Sequence, residues 1–117
     1  MAHLWLQVLP RGAGDRRREL QEALLRHRLE KDPADFEANF NLGAVMLSRL
    51  DARGAVTMLE AAVESEPNRA EARNMLGLAL AATGRSADAI DQFEAVLKMQ
   101  PENASARFNL ANVAEGR

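Results

Sequence analysis

The chain has 117 residues, of which 47% are hydrophobic and 27% charged, and carries a formal net charge of -2. That is the balance of one soluble globular domain, and so small a net charge excludes strong attraction to nucleic acid or an anionic membrane surface. Cysteine is absent, which excludes disulfides, thiolate chemistry and cysteine metal sites while leaving the redox compartment open.

In chain order, the N-terminal "MAHLWLQVLP" is apolar but lacks a basic start and a small-residue cleavage site, so it reads as structure rather than a signal peptide. No apolar run approaches the ~20 residues needed to span a bilayer. Pro10 should break any helix begun before it. The next stretch, "RRRELQEALLRHRLEK", predicts an amphipathic helix at about Asp15–Lys31, with Leu20, Leu24, Leu25 and Leu29 on its apolar side. Its cluster Arg16, Arg17 and Arg18 is flanked by Asp15 and Glu19, with no aromatics interleaved for base stacking, so it reads as a solvated helix face with intrahelical ion pairs.

From there the chain repeats. Pro33, Pro67 and Pro101 are spaced thirty-four residues apart, and "NFNLGAVML", "RNMLGLALA" and "RFNLANVAE" follow them in register. A fixed period of this size is the mark of a repeat architecture. In the first unit Phe40, Leu42, Gly43, Met46 and Leu47 fall at helical spacing. A turn near Leu50 follows, Asp51 can cap the next helix, and Ala55, Val56, Leu59, Ala62 and Val63 resume the pattern. The second unit predicts helices at roughly 69–82 and 87–99, with Gly84 as a stop and Ser86 as a cap. Gly43 with Ala55, and Gly77 with Ala89, are expected where the paired helices cross, because bulk there would push them apart. The third unit has a first helix only. Each full unit is therefore a helix hairpin.

These residues resemble the tetratricopeptide repeat (TPR) family. Its pattern W-x2-L-G-x2-Y, A-x3-F, P reads here as Asn39, Leu42, Gly43, Met46, Ala55, Leu59, Pro67. It reads again as Arg73, Leu76, Gly77, Leu80, Ala89, Phe93, Pro101, and in part around Leu110, Ala111 and Ala114. The resemblance implies an all-α solenoid, a right-handed superhelix of about two full repeats plus flanking helices. The expected units are a degenerate repeat or packing helix at 1–34, full repeats at 35–68 and 69–102, and a truncated one at 103–117. Counting back from Asn39 puts Trp5 at the tryptophan register, but Val8-Leu9 replaces Leu-Gly and Gln21 the small alanine. The sequence leaves open whether residues 2–9 form a matching helix.

The family's first helices line a concave groove, which implies protein–protein interaction with a peptide or helix of a partner. Carried over by register, the groove residues are Glu37, Phe40, Asn41, Ala44, Leu47 and Ser48, then Glu71, Asn74, Met75, Leu78, Ala81 and Ala82, then Ser105, Phe108, Asn109 and Asn112. Asn41 and Asn109 share one register and Asn74 is one position off. An amide carries both donor and acceptor and can pair with an extended backbone; asparagine that bonds only water or a neighbouring helix is the plainer alternative. Phe40 and Phe108 offer apolar pockets or inter-repeat packing. The cationic carboxylate clamp of some TPR proteins is absent, because Glu37, Glu71 and Ser105 stand where cations would help.

Catalysis has no candidate. His3 and His27 have no ligand spacing, and no serine has a histidine base or nucleophile elbow. No cofactor or metal is expected. The last helix carries Phe108, Leu110, Val113 and Ala114 without its partner helix, which suggests either a piece of a longer array or a homodimer face. A non-catalytic arm of a larger enzyme is a further alternative. The absence of a leader or span tilts location toward the cytoplasm, and the arginine and alanine usage toward a bacterial source.

Overall fold

Each repeat begins two residues after its proline, where a side chain can close the first turn of a helix. Asp35 accepts a hydrogen bond from the Ala38 N–H at 3.0 Å, and Asn103 accepts from the Ala106 N–H at 2.8 Å. These are the N-caps of α2 (Phe36–Ser48) and α6 (Ala104–Glu115) in the computed structural model. It describes the backbone of residues 2–116 and the side chains of residues 16–116. The side chains of His3, Trp5, Val8 and Leu9 therefore lie outside it.

The remaining helices are α1 (Ala2–Lys31), α3 (Ala52–Ser65), α4 (Ala70–Ala82) and α5 (Ser86–Met99). Asp51 caps α3 as expected, accepting from the Gly54 N–H at 3.0 Å. Ser86 does not cap α5. It is the first helical residue, and the preceding Arg85 makes no side-chain cap. The stop at Gly84 has a backbone φ of 84°, and Leu50 occupies the same register in the turn before α3 with a φ of 66°. Glycine adopts this left-handed conformation freely; leucine does so at a cost.

α1 is longer than the sequence predicts. It runs unbroken through Pro10, Gly12 and Gly14, so residues 1–34 do not form a hairpin. It packs on α2. Leu25 and Leu29 are half-buried there, but Leu20 and Leu24 stay exposed.

The helices then pack as consecutive antiparallel neighbours: α2 on α3, α3 on α4, α4 on α5 and α5 on α6. The core alternates between these layers. Ala55, Val56, Leu59, Leu76, Ala79, Leu80, Ala89 and Phe93 form one buried cluster. Phe36, Ala62 and Ala72 join the first hairpin to the second, and Ala70, Val96 and Ala106 join the second to α6. The glycines mark the closest approach, though the residue they oppose lies four positions beyond the expected alanine. A Cβ on Gly43 would stand 2.7 Å from Leu59 Cγ, and one on Gly77 would stand 2.5 Å from Phe93 Cε1.

Skipped contacts give the curvature. α2 touches α4, and α4 touches α6, whereas among the described residues nothing joins α3 to α5. The first helices of successive hairpins are thus crowded together on the inner side and the second helices are splayed apart on the outer side.

Candidate partner-binding face

The inner face is built by α2, α4 and α6, so its chemistry is set by whichever side chains these helices do not spend on packing. Asparagine shows how register decides this. Asn39 is 2% exposed and donates through Nδ2 to Pro33 O at 2.9 Å and Asp35 O at 3.2 Å. Arg73, one repeat later, donates through Nε to Pro67 O at 2.7 Å. This register, tryptophan in the family pattern, here ties α2 and α4 to the proline loops before them. Asn74 donates to Asn103 Oδ1 at 3.3 Å, and its own Oδ1 is buried without a partner among the described residues. Asn74 therefore bridges α4 to the capping residue of α6.

Asn41, Asn109 and Asn112 differ. None of their amides bonds to the rest of the chain among the described residues. Asn41 and Ala44 line a groove of about 680 Å³ between α1 and α2, shared with Leu24, Leu25 and Val45. Asn109 and Asn112 line a hollow of about 320 Å³ between α4 and α6, together with Leu78, Ala81 and Val113. The structure so places the amides in two separate hollows of the inner face.

The aromatic positions also divide. Phe40 is half-buried and stacks on Phe36, with ring centroids 5.7 Å apart and planes within 9°. Phe36 in turn lies under the Arg69 guanidinium at 4.2 Å. Phe108 shares the Phe40 register, but Ala104 replaces the stacking partner, and Phe108 is 66% exposed. Leu47 is half-buried against the core, and Glu37 is exposed. Of the residues expected at a self-association face, Leu110 and Val113 pack in part against the core, while Phe108 and Ala114 are exposed.

Charge at the start of this face is fixed by Asp35. The Ala38 N–H, more than any other group, holds its carboxyl below the ordinary value of 3.8; desolvation opposes this and Arg28 reinforces it. Arg28 donates to both carboxylate oxygens at 2.8–3.2 Å, joining α1 to the cap of α2. No group of three or more metal-ligating side chains occurs among the described residues, and none of the described helices is long and apolar enough to cross a membrane.

Comparison with known proteins bears directly on this architecture. The tetratricopeptide repeat family profile matches residues 47–95 and 80–117. The chain is a tetratricopeptide repeat protein. This TPR chain gives no match among curated proteins. Among solved structures it resembles a crystal structure of MamA, with 23% identity and a TM-score of 0.79, over 88% of this chain and 63% of that one. MamA from MSR-1 gives 27% identity and a TM-score of 0.75, over 92% and 60% of the two chains. The TPR chain thus spans less than two thirds of the length of these MamA structures. The first TPR of Spaghetti (RPAP3), bound to the HSP90 peptide SRMEEVD, gives 18% identity and a TM-score of 0.77, over 94% and 90% of the chains. At such identities the likeness is one of fold. The family is one of protein–protein interaction modules.

Proposed function

We propose that the chain is a scaffold or adaptor that holds an extended segment of a partner protein against α2, α4 and α6, with no catalytic role. The observation that carries this reading is the split among the asparagines. Asn39 and Asn74 are committed to the fold, whereas Asn41, Asn109 and Asn112 leave donors and acceptors open on the inner face. Amides in such positions pair with a peptide backbone without reading its side chains. Ala44, Leu47, Leu78 and Phe108 would add apolar contact, and Glu37 and Glu71 disfavour an acidic ligand. The ligand class is therefore an extended, neutral or basic peptide segment.

A paired pull-down tests the reading. One bait is the unaltered chain; the other carries Asn41→Ala and Asn109→Ala and is matched in helical content. A protein retained by the first and lost by the second supports the inner face. Capture of the same set by both baits sinks it. A second reading, a non-catalytic arm of a larger enzyme, is favoured by likeness to the Thermobaculum terrenum O-GlcNAc transferase mutant K341M, of which the match covers 18% at 26% identity and a TM-score of 0.71.

A further inference from the structure

Two leucines of α1 have no apparent reason to be exposed. Leu20 and Leu24 are 65% and 64% exposed, and Leu24 forms a wall of the groove with Gln21, Leu25 and Arg28. The next repeat shows what such a wall serves. Thirty-four residues on, Gln21, Leu24, Leu25 and Arg28 become Ala55, Met58, Leu59 and Ala62. Of these, Ala55, Leu59 and Ala62 are wholly buried. The lid over them is α2, whose Gly43 would bring a Cβ to 2.7 Å from Leu59 Cγ and 3.4 Å from Met58 Cβ. The groove is thus the seat of a first helix whose residue at the Gly43 register is Leu9.

The segment from Leu4 to Leu9 suits that seat, with Leu4, Trp5, Leu6, Val8 and Leu9 in six positions. It does not reach its own groove. α1 continues as one helix from Ala2 to Lys31, and sixteen residues of helix hold Leu9 about 24 Å along the axis from Leu25. Leucine at a glycine register also obstructs the tight crossing that a hairpin imposes. Two separate helices, untied by a turn, can pack further apart.

We propose that the groove receives the N-terminal segment of α1 from a second copy of the chain. The exchange is reciprocal: two antiparallel α1 helices each lay residues 4–9 across the other's Leu24 and Leu25, closing a two-fold dimer. Arg16, Arg17 and Arg18 of both copies meet near the two-fold axis, so salt strengthens the dimer by screening them. The exchanged segment covers Asn41 and Ala44, so dimerisation competes with peptide at that end of the inner face and leaves Leu78, Asn109 and Asn112 free.

The chain lacks cysteine, which permits a direct test. Gly43 and Met58 face each other across the α2–α3 crossing, and by register Leu9 and Leu24 should face each other across the seat, where paired cysteines can cross-link. The full chain carrying Leu9→Cys and Leu24→Cys is oxidised and run without reductant, with Leu9→Cys and Met99→Cys as control. A covalent dimer in the first and not in the control is the expected result. Sedimentation of the unaltered chain should show a dimer that salt tightens and that Leu24→Glu weakens at least tenfold. A disulfide closed within one chain means that the segment fills its own groove, and overturns the proposal. A sedimenting monomer without a cross-link overturns it equally.

Discussion

The contact between Gly77 and Phe93 is the most demanding feature of the core and the easiest to break by adding one carbon. A Cβ at position 77 would stand 2.5 Å and 2.6 Å from Phe93 Cε1 and Cζ, well inside van der Waals contact. The ring is fully buried, so it can yield only by moving α5 or adopting a poor rotamer. Overpacking of this kind costs about 1–3 kcal/mol. Against it, alanine gains roughly 1 kcal/mol over glycine in a helix interior. Gly77→Ala should therefore destabilise the chain by about 1 kcal/mol, lowering Tm by roughly 4 °C for a domain of this size. Removing the ring reverses the sign. Phe93→Ala alone costs about 3–5 kcal/mol, but in that background Gly77→Ala meets empty space and should stabilise by ~0.5–1 kcal/mol. Urea unfolding followed by circular dichroism at 222 nm, across the four-member cycle, should give a coupling of about 2 kcal/mol. If Gly77→Ala raises stability equally in both backgrounds, the close helix crossing is not what selects glycine there.

Three further outcomes are expected. Leu50→Gly should raise Tm by a few degrees in thermal melts, because a leucine at φ 66° that is 91% exposed gives up a left-handed strain of about 1–2 kcal/mol and loses no burial. Asp35 has a folded pKa below its ordinary 3.8, so its contribution is present above that value and lost as pH falls through the folded pKa. Asp35→Asn should flatten the acid limb of a stability–pH profile, measured by urea midpoints from pH 5 downward. The peptide SRMEEVD, which the RPAP3 repeat binds, should show no saturable binding below roughly 1 mM by fluorescence anisotropy, because Glu37, Glu71 and Ser105 occupy the clamp registers. Micromolar affinity would refute that assignment.

Periodicity made the hairpins legible. The spacing of Pro33, Pro67 and Pro101 sets the phase, and the turns follow from Asp51 and Gly84. What escaped was the identity of caps and opposing residues. Position 86 is a serine, a good cap by type, yet the helix starts on it. The real cap register lies two residues after each proline, where Asp35 and Asn103 accept from the backbone and Arg69 has no such bond. Three residues at one period, two of them good caps, were a readable signal. The long α1 was not readable, because Pro10 argues locally against what the helix does.

The inner face shows why composition alone misleads about binding. Asn39, Asn41 and Asn74 lie on the first helices of two adjacent repeats and look alike in sequence. A shift of two positions along α2 turns Asn39 inward to the Pro33 carbonyl and Asn41 outward to the groove, since two residues rotate a helix by about 200°. Asn74 lies one position before the Asn41 register, and that single step brings it against Asn103 instead of a partner. Phe40 and Phe108 share a register, yet Phe40 stacks on Phe36 while Phe108, whose neighbour became Ala104, stays exposed. The repeat supplies the frame, and small departures from its period decide which polar and aromatic groups remain for another molecule to use.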